Sequence, residues 1–193
     1  MSLPNNILYL ATEPVTFLAP DHLVIKPLID YERGGVAIND ASEGTNAYNW
    51  KIAYTGSEVR LSREPYSDFT VLFTTPGITE IGFAFTQNMA VTVCYVQDGL
   101  TKLYWFDTQI SQYVTTEFPS VTSPKLAMDD KREYSSSISD ILFCYLRAGN
   151  LCYRQQRDRY NTERVIVATQ ATKIRRIGMT TGLRFAVELN IAG

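Results

Sequence analysis

The sequence holds one histidine, three cysteines and no apolar run near the ~18 residues that cross a bilayer as a helix. Each shortage removes a class of function. With His22 alone, any Ser-His-Asp or Cys-His triad would have to pass through a residue at a strand start, just after Pro20-Asp21. No G-x-S-x-G elbow is present, nor a phosphate loop of the G-x-x-x-x-G-K-[ST] or G-x-G-x-x-G type. Cys94, Cys144 and Cys152 include no C-x-x-C pair and fit no zinc spacing. Each lies in a strand-like run, where a reduced cysteine behaves as a small hydrophobe. A Cys144–Cys152 bridge across a hairpin is geometrically possible, and a cytoplasmic origin argues against it. That origin is expected because MSLPNNILYLATEPV lacks the basic and long apolar regions of a signal peptide. Helical periodicity is also missing, apart from one short turn expected near Asp158 to Thr162.

What is present points to strands. Hydrophobic residues make up 45% of the 193, and twelve are Tyr, which favours sheets and wet interfaces over helices. Tyr48 to Tyr54 alternates with period two, and Glu58 to Leu61, Phe69 to Phe73 and Ile78 to Phe85 read as further strands. His22 to Leu28 and Val36 to Ile38 read likewise. Ala90 to Phe106 and Ser139 to Tyr153 then partly repeat one another at about fifty residues. Each runs an apolar strand through Cys-Tyr (Cys94-Tyr95, Cys144-Tyr145) into a Gly turn at Gly99 or Gly149, then starts a second strand. Tyr113 to Phe118 and Glu163 to Ala168 follow as third strands, and Thr172 to Ile177 with Leu183 to Leu189 forms a closing hairpin.

The expected fold is therefore all-β, made of small antiparallel sheets with repeated hairpin units resembling propeller blades or a β-sandwich. Three regions are expected: an extended N-terminal arm (1–20, punctuated by Pro4, Pro14 and Pro20), an N-terminal β unit (21–86), and two repeated units plus the closing hairpin (87–193). The arm is apolar enough to need cover from the body or a partner, which makes Phe17 and Leu18 candidate contact residues.

Charge is lopsided. Residues 1–120 hold six Lys/Arg against thirteen Asp/Glu, whereas 121–193 hold twelve against seven. Such polarity can steer contacts between copies. Arg154, Arg157, Arg159 and Arg164, with Tyr160, form a cluster in which Asp158 and Glu163 are embedded. Those acids, and a pI near 5.5, disfavour nucleic acid and favour Arg–carboxylate contacts to neighbouring protein. Asp129, Asp130 and Glu133 lack the EF-hand spacing, and the S-x-D-x-G-x-x-W box of sialidases is absent. No catalytic residue, metal or cofactor is expected, and the chain is read as no enzyme.

Several runs look familiar together. YRQQRDRY (Tyr153 to Tyr160), TER (Thr162 to Arg164), RIGM (Arg176 to Met179) and GLRF (Gly182 to Phe185) carry the resemblance, with PLIDYERGG (Pro27 to Gly35, including Arg33) and FTQNM (Phe85 to Met89) upstream. From about residue 23 to 189 the chain resembles a family of tailed-bacteriophage virion proteins. The resemblance implies a structural component of the tail, its baseplate or its fibre-attachment region, with no catalytic residues to carry over. It implies a chain assembled in the bacterial cytoplasm, located in the virion, and partnered by its own copies and other virion proteins. The alternative is a receptor- or carbohydrate-binding module at the tail periphery, with Trp50 and Trp105 as stacking platforms. Membrane insertion is not expected.

Overall fold

The computed structural model describes residues 7–11, 36–39, 47–63, 68–86, 90–128, 141–168, 170–179 and 185–191. They form fifteen strands and one 3-10 turn, with no α-helix among them. Strand β1 (Ile7–Ala11) comes first. Sheet S1 contains β2 (Val36–Asn39), β3 (Ala47–Tyr54), β4 (Glu58–Arg63) and β5 (Phe69–Thr74) in that order. Sheet S2 contains β6 (Ile78–Phe85), β7 (Val91–Gln97), β8 (Leu100–Asp107) and β9 (Gln112–Phe118). Sheet S3 contains β10 (Thr122–Met128), β11 (Ile141–Arg147), β12 (Asn150–Gln155) and β13 (Arg164–Ala168). Sheet S4 pairs β14 (Ala171–Met179) with β15 (Phe185–Ile191), and β15 in turn with β1.

The four sheets stack in series, blade against blade. Strand β10 packs on β6 to one side and on β14 to the other, so the first strands converge while β5, β9 and β13 end their sheets at the periphery. Three cores fill the spaces between sheets. Val59, Phe83, Val93 and Tyr95 lie between S1 and S2; Leu103, Trp105, Phe143 and Tyr145 between S2 and S3; Leu142, Cys144, Ile174 and Leu189 between S3 and S4. Because side chains alternate across a strand, one inner strand feeds two cores. In β11, Ile141, Phe143 and Tyr145 face S2, while Leu142, Cys144 and Leu146 face S4. That double burial is why AVTVCYV and ILFCYL read as unbroken apolar runs rather than alternating ones.

The hairpin repeat is a repeat of geometry. Cys94 pairs with Leu103 and Gln97 with Leu100; fifty positions later Cys144 pairs with Tyr153 and Arg147 with Asn150. Both loops have two residues, Asp98-Gly99 and Ala148-Gly149, and positive φ at both, the mark of a type I′ turn. Cys144 and Cys152 are free, and the register sets Cys144 against Tyr153 and Cys152 against Tyr145. They therefore point to opposite faces, into different cores, and the cross-hairpin bridge is ruled out.

Two details differ from the sequence expectation. Strand β6, read with the preceding unit, pairs with β7 and belongs to S2, so the sheet boundary falls between Thr74 and Ile78. The arm contains a strand, because residues 7–11 pair with β15 across the whole length of the chain. The strand expected at 22–28 lies outside the described residues.

Antiparallel order places the loops unequally. The β3–β4, β7–β8 and β11–β12 hairpins and the links between sheets share one end, held by contacts such as Thr75 N–H donating to Ser57 O at 2.7 Å. Gln97 Nε2 donates there to Thr75 Oγ1 and to the Pro76 carbonyl, each at 2.8 Å. The β8–β9 and β12–β13 connections occupy the opposite end.

Candidate protein interface

At that opposite end, the arginine cluster is built into a tongue between β12 and β13. After Gln155 the chain makes one 3-10 turn, Gln156–Asp158, then places Arg159 and Tyr160 at φ 58° and 59°. Left-handed backbone costs roughly 1 kcal/mol or more for each residue with a Cβ. Side chains hold it there. The Tyr160 ring is 1% exposed and meets Trp105 edge-on at 5.2 Å between centroids, with Phe143 at 6.3 Å. Arg154 donates to the carbonyls of Tyr160 and Asn161 at 2.7 and 2.6 Å, and its Nε donates to Tyr145 Oη at 2.8 Å. Tyr145 donates to Glu163 at 2.5 Å, and Arg147 approaches the same carboxylate to 2.9 Å. Burial first, then Glu163, pushes the Tyr145 phenol well above its usual range, so it remains a neutral donor.

Arg159 reaches back across the S2–S3 boundary to Asp107, which is 1% exposed, and donates to Gln109 Oε1 at 2.9 Å. The other Asp107 carboxylate oxygen accepts from Gln109 N–H at 3.0 Å, which fixes the carboxylate that anchors the tongue through Arg159. Arg164 donates to Gln155 at 2.8 Å and lies 3.6 Å from Asp158.

The candidate contact residues thus separate. Tyr160 is a core residue, a correction with a plain cause: its ring fills the space between Trp105 and Phe143. Arg154, Arg159 and Arg164 make ion pairs within the chain, with Glu163, Asp107 and Asp158 respectively, where the sequence suggested carboxylates of neighbouring protein. Arg157 is exposed on the tongue. Arg33, Phe17 and Leu18 lie outside the described residues.

Exposed apolar surface gathers elsewhere, and sequence reasoning missed it. Phe69 and Val71 sit on β5, Tyr113 on β9 with Ile110 in the turn before it, and Val165 and Ile166 on β13. Every large hydrophobic residue found exposed among the described residues therefore lies on, or leads into, a peripheral strand. Val165 is 59% exposed and Phe69 51%. A peripheral strand has one row of N–H and C=O groups unpaired within its sheet, and apolar side chains beside that row make it a template for another chain. Strand β13, RVIVA, has no proline and only its first residue charged, so its protection as an edge is limited to a bulge at Ile166, where the register with β12 shifts. FTVLF and ERVIVA were legible as strands, but nothing local says which strand ends a sheet.

The remaining reactive groups are held inert. Burial pushes the Cys94 thiol up to about 12, so it stays protonated at neutral pH. Cys152 is raised too, first by burial and then by Glu163. Trp105 and Trp50 pack into the S2–S3 and S1–S2 cores respectively. Among the described residues, no group of three or more His, Cys, Asp or Glu could hold a metal ion, and no helix is long and apolar enough to cross a membrane. No family model matches the chain, no curated protein matches it, and no solved structure matches its fold.

Proposed function

We propose that this chain is a structural component of a tailed-bacteriophage virion, in the tail, its baseplate or its fibre-attachment region, working by protein–protein assembly and not by catalysis. The sequence runs at 153–164 and 176–185 suggest the setting. The observation that carries the mode of action is the placement of exposed apolar side chains on the peripheral strands β5, β9 and β13. Buried cores and inert thiols build a rigid stack of sheets, while the rim offers edges for neighbours to complete. Copies of this chain and other virion proteins are the proposed partners.

The peripheral receptor- or carbohydrate-binding reading rests on tryptophan platforms. Core packing of Trp105 against Tyr160, and of Trp50 against Phe85 at 5.1 Å, weighs against it in that form. The test is labelling of intact particles from a phage that makes this chain. An antibody to the chain should decorate one fixed position on the tail of every particle. Label confined to the head, or particles free of the chain, would reject the proposal.

A further inference from the structure

Strand β1 and strand β2 are consecutive in the chain yet belong to sheets at opposite ends of the stack, S4 and S1. Residues 12–35 separate them, a length on the order of 80 Å when fully extended. The sheet pairing of β1 is with β15 alone, over five residues from Ile7↔Asn190 to Ala11↔Ala186. Its departure breaks no ladder other than the one with β15. That leaves the β14–β15 hairpin packed on S3 through Ile174, Ile177, Val187 and Leu189 but opens the outer edge of β15, a row of backbone groups ready for another strand.

We infer that the β15 edge is an exchange site whose second occupant is β1 of another copy of this chain. The seat accepts that strand by construction: register, direction and sequence are those of the intramolecular pair. Exchange makes and breaks the same contacts, so it is governed by effective concentration and not by new affinity. For a connection of this many residues the intramolecular strand competes at an effective concentration on the order of millimolar. A dilute chain therefore closes on itself. Copies held side by side, or refolded at millimolar concentration, trade strands and become linked without any further surface. The inference stands whether or not the chain belongs to a virion.

Two single substitutions test it, Ala11→Cys in one preparation and Ala186→Cys in another, since directly opposed residues in an antiparallel pair lie within disulfide reach. The two are unfolded, mixed, refolded at ~1 mM and mildly oxidised. Exchange predicts a disulfide-linked heterodimer about tenfold more abundant than from a control mixture of Ala53→Cys with Ala186→Cys. The double variant Ala11→Cys/Ala186→Cys, refolded at low concentration, should close internally. Heterodimer no more abundant than in the control overturns the inference, as does failure of the double variant to close. Unsubstituted chain refolded at ~1 mM gives an independent reading by light scattering: a dimer that survives dilution supports exchange, and monomer alone overturns it.

Discussion

Ser123 sits at φ 53° where β10 breaks register, and its hydroxyl both donates to the Ile174 carbonyl at 3.2 Å and accepts from the Ile174 amide at 2.8 Å. One side chain thus satisfies two backbone groups of the neighbouring sheet in a buried place. Ser123→Ala should lower stability by about 1–3 kcal/mol, read as a fall in the denaturant midpoint at constant slope. An unchanged midpoint would mean the link is dispensable. Cys94 gives a second residue-scale outcome. Its pKa rises from 9.0 to about 12 on folding, so its contribution is fully present below pH 9 and is lost as pH climbs through that window. Cys94→Ala should therefore flatten the decline in stability between pH 9 and 12, while costing a fixed amount at neutral pH. Parallel declines in the two proteins would contradict the burial of that thiol. The burial of Cys94 was legible in its strand-like run, but the role of Ser123 was not. Ser123 lies next to Pro124 with no local pattern to mark it, and its partner is fifty-one positions away.

At the level of elements, the paired hairpins show what sequence reveals. Strands buried on both faces spell themselves out as apolar runs, and Gly99 and Gly149 mark their turns. The environments of those turns are less equal than the sequence suggests. A Cβ at Gly99 would meet open space, whereas one at Gly149 would stand 3.1 Å from the Gln170 backbone. Both positions have positive φ, so alanine pays a backbone penalty of roughly 1 kcal/mol at each. Gly149→Ala should then lose clearly more stability than Gly99→Ala, and thermal unfolding of the two variants decides it. Equal losses would show that the Gln170 link yields freely. Strand β14 was legible only in outline. Its buried residues Ala171, Ile174 and Ile177 recur every third position, a spacing that fits no regular strand. Two register shifts, after Ala171 and after Ile174, produce it. The arginine tongue was misread for a related reason: its course depends on two left-handed residues pinned by Trp105 and Asp107, which lie more than fifty positions upstream.

The whole molecule is a serial stack whose inner sheets are sealed and whose peripheral strands are not. The paired hairpins of S2 and S3 follow from the repeat, but the placing of β6 and the return of β1 to the last sheet do not, since pairing between chain termini leaves no local trace. The rim is a second property of the assembly of sheets and not of any one segment. Substituting Val165→Asp together with Ile166→Lys should leave the strand content measured by circular dichroism unchanged, because both side chains are exposed on a peripheral strand. Incorporation into particles should fall steeply in a complementation assay. Full incorporation would remove β13 from the contact surface.

The measurement that bears most directly on assembly through peripheral strands is amide hydrogen exchange, compared between the free chain and the chain within purified particles. The amides of β5, β9 and β13 should exchange readily in the free chain and gain protection in the particle, while the already sealed strands β7 and β11 change little. Unaltered exchange along all three peripheral strands in the particle would contradict the account.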